Sequence, residues 1–508
     1  MFKKVSVILI LGLSFGFSAV NFPYPQETSY GNGTINVTSA NASATLKSKF
    51  TGFYDEFYEE SGNLARIKHD TKANTVSEGI GYGMILMVYF SDNTKSYQSE
   101  FDKLWAYYQK FPDANGLMHW KIQGFNQVLE RGAATDAEVD VAIALVMAHY
   151  QFGSTSTKNY LDTAKSIIKK IREHEVSSNN LLKPGDMWDQ QRNPSYLSFV
   201  ALEIFKEVES SQATKWQSVI DANYTMIKAN QNSSSGLFSD WCSDNGSHLS
   251  GNYGYDAART PWRLAWANAW YGHADAKTLL TNLYTRFLQS KNASSIGGSI
   301  SLTGTMGGDK NSTFLGPFTN ALSYSSSNQS KMNEYWGTLM DFKNEWYYSA
   351  ALQVLTGLLA SGNMPNLKAL AETVPSSSSV ASSSSAPSSS SSSVASSSSV
   401  GSSSSSSSSS SRTALSSNSI SSSSSDNTPI ILPKAVFSNG LNAMRNAVNL
   451  QATGNVTVQI FDLKGNAVRT QSFAQGSYIV SMVNLPKGLY LVKASSGSWK
   501  QTVTVPVR

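Results

Sequence analysis

Three short segments of the 508-residue sequence set carboxylates among glycines and aromatic rings. The first is Ser77-Glu78-Gly79-Ile80-Gly81-Tyr82-Gly83-Met84. Ser77 is placed to cap a helix whose first turn holds Glu78, where a carboxylate complements the dipole. Glycine is a poor helix former, yet the apolar run continues into Ile85-Leu86-Met87-Val88. Three missing side chains there let another group approach the backbone. The second segment is Ala134-Thr135-Asp136-Ala137-Glu138-Val139-Asp140. Thr135 with Glu138 fits a capping box, which explains both residues without chemistry. Asp136 and Asp140 then share one helix face, a mildly unfavourable like-charge spacing that calls for a partner elsewhere. The third, Tyr253 to Arg263, gathers Asp256, Arg259, Arg263 and three rings around a helix start. A structural Asp–Arg pair and a reactive acid both fit it. Smaller clusters of the same kind are Gly185-Asp186-Met187-Trp188-Asp189, Asn193-Pro194-Ser195-Tyr196 and Phe238-Ser239-Asp240-Trp241.

Separated acids among Trp and Tyr, on loops at helix starts, are the parts that glycoside hydrolysis needs. One acid protonates the leaving oxygen, a carboxylate handles water or the sugar, and rings stack on the chain. The sequence contains no Gly-x-Ser-x-Gly elbow and no phosphate loop. Its six His show no metal-ligand spacing, so neither a metal nor a cofactor is expected.

The elements that must position these acids read as helices. Apolar residues recur at helical spacing over 44–59, 79–91, 97–110, 138–152, 160–173, 196–208, 214–229, 262–271, 276–289 and 346–360. Strand-like alternation is scarce in this region, so an all-α toroid or multilayer bundle is expected, with loops at one end forming the binding face. From about 376 to 425 the chain is nearly all Ser, a composition that makes a flexible linker. It separates a body, 20–373, from a tail module, 428–508, with the linker taken as 374–427. The tail alternates apolar and polar residues between turns at Lys464-Gly465-Asn466 and Pro486-Lys487-Gly488, the pattern of a small antiparallel β-sandwich.

The first 19 residues carry Lys3-Lys4, an apolar run to Phe17 and Ser18-Ala19, a secretory signal peptide pattern. The run is too short to span a bilayer, so export without a remaining membrane span is expected, with the protein secreted or held at the cell surface. The lone Cys242 permits no internal disulfide. A net charge of +5 without a Lys/Arg cluster gives no nucleic-acid surface. Aromatic residues make up 11% of the chain, enough for sugar platforms as well as a core.

In order along the body, SEGIGYGM, GLMHW, ATDAEVDVAIALVMA, NPSY and YDAARTPWR resemble glycoside hydrolase family 8. The resemblance implies an inverting enzyme on an (α/α)6 barrel. It implies Glu78 as general acid, Asp256 as general base, Asp136 holding the sugar beside the scissile bond, and Tyr196 and Arg259 positioning the water and the base. Trp120, Trp188, Tyr255 and Tyr347 are the implied sugar platforms, with Tyr82, Trp241 and Tyr348 completing the substrate-contacting set. Inversion requires the Glu78 and Asp256 carboxyls to stand roughly 6.5–9.5 Å apart. Asp at position 256 resembles the endoglucanase and xylanase branch rather than the chitosanase-like one, and Arg259-Thr260-Pro261-Trp262-Arg263 favours β-1,4-glucan or mixed-linkage glucan over xylan. The implied partner is therefore a polysaccharide.

The tail resembles the C-terminal sorting domains of type IX secretion, which implies the secretion machinery as a second partner. A carbohydrate-binding module is the rival. It fits less well because Phe437, Phe461, Phe473, Tyr478, Tyr490 and Trp499 mostly fall in apolar strand patterns. An inactive glycan-binding barrel would lack an acid, and Glu78, Asp136 and Asp256 are all present.

Overall fold

In the computed structural model, the described residues are 20–373 apart from Asn344, and 440–507 apart from 445, 446, 453, 475, 483, 484 and 498. The expected signal peptide and Ser-rich linker lie outside them. The chain divides into two compact units between Ser377 and Ser378.

The first unit alternates two kinds of helix. One kind is buried on nearly every side: α2 (Ser77–Phe90), α4 (Thr135–Phe152), α6 (Phe199–Val208), α8 (Thr260–Tyr271), α10 (Ser312–Ala321) and α12 (Tyr347–Ala360). The other buries one stripe: α1 (Ala42–Phe57), α3 (Gln98–Lys110), α5 (Tyr160–His174), α7 (Ala213–Asn230), α9 (Ala274–Arg286) and α11 (Gln329–Asp341). Each buried helix packs on the next, and α12 returns to α2 and closes the ring; each striped helix covers a buried one from outside. This is an α/α barrel, and its two layers follow from hydrophobic patterning, since only a helix enclosed by others can be apolar all round. A short helix, α13 (Leu367–Thr373), follows the ring.

All ten expected helical segments fall on helices. Two barrel helices were not expected from the sequence. Helix α10 is buried throughout and contains Gly316 and Pro317, so it shows neither a helical period nor good propensity. Helix α11 has the period in Met332, Tyr335, Trp336, Leu339 and Met340, but it opens on a polar run and contains Gly337.

The helix starts differ from the capping expected. Ser77 and Thr135 are the first helical residues, after Val76 and Ala134, and no side chain caps either helix. Loop carbonyls serve instead: the Ser77 N–H donates to Trp120 O at 2.8 Å and the Thr135 N–H to Pro184 O at 3.1 Å. The three glycines of α2 are contact points. A Cβ on Gly79 would meet the Tyr347 hydroxyl at 3.0 Å, one on Gly81 would meet Asp140 at 3.0 Å, and one on Gly83 would meet Ile67 at 2.8 Å.

Three small antiparallel sheets line the loop end of the barrel or its flank. They are β1 (Tyr58–Ser61) with β2 (Leu64–Ile67); β3 (Asn74–Val76), β4 (Lys121–Gln123) and β5 (Gln127–Glu130); and β6 (Asn252–Tyr253), β7 (Ser299–Ser301) and β8 (Met306–Gly307).

The second unit consists of two antiparallel sheets. One is ordered β13 (Gly476–Ser481), β10 (Ala447–Ala452), β9 (Gly440–Met444). The other is ordered β12 (Ala467–Phe473), β11 (Val456–Phe461), β14 (Gly488–Ser496), β15 (Trp499–Val507). Inward residues alternate along β11, with Val456, Val458 and Ile460 buried. Gly465 turns the chain at φ +86°, and the Asp462 carboxylate accepts the N–H groups of Lys464 and Asn466 at 2.9 Å each. Tyr490 is buried, and Phe473 and Trp499 pack on the same core. Phe437 and the side chain of Tyr478 lie outside the described residues.

Candidate active site

The inner helices present their first turns at one end of the barrel. Glu78 stands in the first turn of α2, Asp136 in that of α4, Arg259 immediately before α8, and Tyr347 and Tyr348 open α12. Asp256 precedes α8 in the loop, and Tyr196 ends a single 3-10 turn, Pro194–Tyr196. Residues from five ring positions thereby surround one cleft, together with His69, Trp120 and Tyr255.

Arg259 is the hub. Its Nη1 donates to Glu78 Oε2 at 2.7 Å, to Asp136 Oδ2 at 2.6 Å and to the Tyr82 hydroxyl at 3.2 Å, and its Nε donates to Ser195 Oγ at 3.1 Å. The rings of Tyr196 and Tyr348 lie 5.1 and 5.8 Å from the guanidinium carbon. The other carboxylate oxygen of Glu78, Oε1, faces the Tyr347 hydroxyl at 2.9 Å. The Glu78 side chain keeps 16% exposure, so it is enclosed but reachable. Burial pushes its carboxyl up to about 7; the Arg259 charge works against this, and the Asp136 charge adds to it.

Asp256 has different partners. Trp241 donates its indole N–H to Oδ2 at 3.1 Å, and Asn193 donates to Oδ1 at 3.4 Å. Burial raises the Asp256 carboxyl as well, opposed by the Arg259 charge and the Trp241 donor. The turn that carries Asp256 is held by Asp240, whose Oδ1 accepts the N–H groups of Gly254 at 2.7 Å and Ala257 at 2.9 Å. Burial and the nearby Asp256 charge push Asp240 to about 7. A Cβ at position 254 would lie 2.5 Å from Asp240 Oδ2, which is why glycine stands there.

Both acids of the Asp136/Asp140 pair have partners. Asp136 bonds Arg259, while Asp140, wholly buried, takes a two-point bridge from Arg263 at 2.7 and 2.6 Å. Glu138 does not close a capping box; it accepts the Tyr108 hydroxyl behind α4, where burial raises it well above the usual carboxylate range.

The structure sorts the expected sugar-contacting rings. Trp120, Tyr255, Tyr347 and Tyr348 line the cleft. Tyr82 does not reach it, being 0% exposed beneath Arg259, because one helical turn past Glu78 points into the barrel. Trp241 acts on Asp256. Trp188, half-buried, sits over Gly132 and Gly185 rather than in the central cleft. Arg259 bonds Glu78 and Asp136 while its charge also acts on Asp256, whose hydrogen bonds come from Asn193 and Trp241.

Asn193, Asp240, His69 and Asp70 were not assigned from the sequence. Asn193 and Asp240 stood inside two of the acid–aromatic clusters, so a signal was present. His69 and Asp70 had none. Asp70 accepts the Tyr347 N–H at 2.7 Å, and burial lowers the His69 imidazole, keeping it neutral at pH 7. Among the described residues no group of His, Cys, Asp and Glu is placed to hold a metal ion.

A barrel of this kind with two partly buried, separately held acids and a rim of rings has the parts of a sugar-cleaving enzyme. Residues 21–362 match glycosyl hydrolases family 8, and the chain belongs to that family and is a glycoside hydrolase. It is 32% identical to Endoglucanase 2 of Ruminiclostridium josui over 72% of this chain and 81% of that protein. It is 31% identical to a Beta-glucanase of Niallia circulans over 70% of this chain and 94% of that protein. Its fold superposes on a beta-1,3-1,4-glucanase from Paenibacillus sp. X4 with a TM-score of 0.64 at 29% identity, covering 68% of this chain and 99% of the other. Residues 442–507 match a secretion system C-terminal sorting domain, so the protein is secreted. No helix among the described residues is long and apolar enough to cross a membrane.

Proposed function

We infer that the protein is an endo-acting β-1,4-glucanase that hydrolyses cellulose-type or mixed-linkage β-glucan with inversion on an (α/α)6 barrel. The observation that carries this reading is the division of labour between two acids on one cleft. Glu78 is pushed to about 7 and so holds a proton at the start of the reaction. Burial raises Asp256 as well, but its hydrogen bonds from Trp241 and Asn193 and the Arg259 charge oppose that rise and favour the ionised form a base needs.

Arg259, which can only donate, holds Glu78 Oε2, so the proton resides on Oε1. There the Tyr347 hydroxyl 2.9 Å away can turn from donor to acceptor, and the proton passes to the glycosidic oxygen as the bond to C1 breaks. Asp256 removes a proton from the water that attacks C1 from the opposite face, which leaves Glu78 ionised and Asp256 protonated until proton exchange with solvent resets both before the next turnover. Asp136, fixed by Arg259, supports the sugar at the scissile bond. Trp120 and Tyr255 supply stacking surface on the cleft wall. The relatives' names, endoglucanase and beta-glucanase, support glucan as the substrate.

The signal peptide over 1–19, the linker over 374–427 and the tail over 428–508 complete this reading. The tail hands the chain to a type IX machinery that releases it or retains it at the surface, and removing 428–508 abolishes that delivery. The activity is tested by reducing-sugar release from carboxymethyl-cellulose, mixed-linkage β-glucan, xylan and chitosan, beside Glu78→Gln. Release from the glucans, lost in the variant, with an α-anomer as first product by proton NMR, is the expected result. A β-anomer overturns the inverting assignment, and cutting of xylan alone overturns the substrate.

A further inference from the structure

Outer helix α3 packs on α2, outer helix α5 packs on α4, and a groove of about 610 Å³ lies between the two outer helices. It shares no lining residue with the catalytic cleft. Trp105 lines it, half-buried, and stacks on Tyr108 with ring centroids 5.0 Å apart and planes 18° apart. Tyr108 is itself 2% exposed and tied through its hydroxyl to Glu138, so the indole rests on a fixed base.

Of the charged groups of the lining, Asp162 is ion-paired and Lys170 is hydrogen-bonded to a carbonyl without a counter-charge among the described residues. Asp162 accepts from Asn159 and Lys165, and Lys170 donates to Gly116 O at 2.8 Å. What remains is neutral. The Trp105 indole N–H, the Gln109 amide and the hydroxyls of Ser156 and Ser166 have no hydrogen-bond partner among the described residues.

A concave site of a few hundred cubic ångströms, with an aromatic wall and unpaired neutral donors and acceptors, suits a ligand that is apolar on one face and hydroxylated at its edge. We propose that this groove is a second, non-catalytic binding site for a segment of neutral β-glucan chain. Cationic glycans are disfavoured because the lining carboxylate, Asp162, is already bridged by Lys165 and the other charge of the lining, on Lys170, is positive. The proposal rests on the glucan reading of the cleft for the identity of the chain. A polymer held here and in the cleft at once is bound by two linked contacts, so its effective concentration at the acids rises without any change at the acids themselves.

The test is affinity electrophoresis of the full chain in gels containing soluble mixed-linkage β-glucan, in a Glu78→Gln background that stops cleavage. Trp105→Ala removes the platform. Ser166→Arg fills the groove from an exposed position on α5 and leaves the Trp105–Tyr108 stack in place. Both variants are expected to weaken retardation roughly tenfold. Retardation equal to the parent in both overturns the site, and where the two disagree Ser166→Arg decides. Reducing-sugar release by the unmutated chain is measured alongside. Glucan cutting with retardation indifferent to both variants sinks the groove alone. Trp105-dependent retardation without glucan cutting sinks the catalytic reading alone.

Discussion

The Tyr347 hydroxyl lies 2.9 Å from Glu78 Oε1, across 269 residues of sequence, and the approach is open because position 79 is glycine. This hydrogen bond favours the ionised carboxylate and so lowers the Glu78 pKa, partly offsetting burial. Tyr347→Phe therefore moves the alkaline limb of the kcat/KM profile, which falls near pH 7 in the parent, to higher pH. The rate at the optimum is expected to stay within about tenfold of the parent. The measurement is a pH–rate profile on soluble β-glucan, and a limb that moves down contradicts the assignment of Glu78 as the acid.

The Asp136 charge acts on the same proton in the opposite sense, raising Glu78. Asp136→Asn moves the alkaline limb to lower pH. It also frees half of the Arg259 clamp and lowers kcat by about a hundredfold. The two profiles, shifted in opposite directions, separate electrostatics from general damage.

Trp241 holds the other acid. Its N–H favours ionised Asp256, so Trp241→Phe raises the Asp256 pKa and moves the acid limb to higher pH. Activity is then lost at acidities the parent tolerates, while the alkaline limb set by Glu78 stays in place. Movement of the alkaline limb instead would reverse the two roles.

Asp240 gives a stability prediction with a definite sign. The folded group titrates near 7 and the unfolded one near 3.8. Between these values the unfolded chain has released a proton that the folded chain retains, so stability falls as pH rises. Asp240→Asn keeps an oxygen for the Gly254 and Ala257 N–H groups and removes the titration. Its Tm falls less steeply than the parent's between about pH 4 and 7, as thermal unfolding in a buffer series will show.

The Asp140–Arg263 bridge is fully enclosed. Asp140→Ala leaves an unpaired buried guanidinium and costs about 3–5 kcal/mol, whereas Asp140→Leu with Arg263→Met recovers most of that loss. Urea denaturation of the three proteins measures it, and equal losses in the single and double variants would refute the argument.

The helical spacing of the body and the alternation of the tail are local properties. They placed ten barrel helices and the β-rich module because burial patterning repeats within a few residues. Glu78, Asp136 and Asp256 were likewise legible, as acids set in unusual glycine and aromatic surroundings. Helix α10 was not legible, because Gly316 and Pro317 in its interior remove the helical propensity that the other enclosed helices keep. Nor was His69, a single ring on a polar stretch with no motif around it. Which acid each arginine holds was decided only by closing the ring. Arg259 is three residues from Asp256 yet bonds Glu78 and Asp136, and Thr135 and Glu138, an apparent capping box, are pulled to Pro184 and Tyr108. Sequence determines which side chains an element carries and which of its faces is apolar. The partner of a buried charge depends on which helix ends meet, and that is set by packing between segments far apart in the chain.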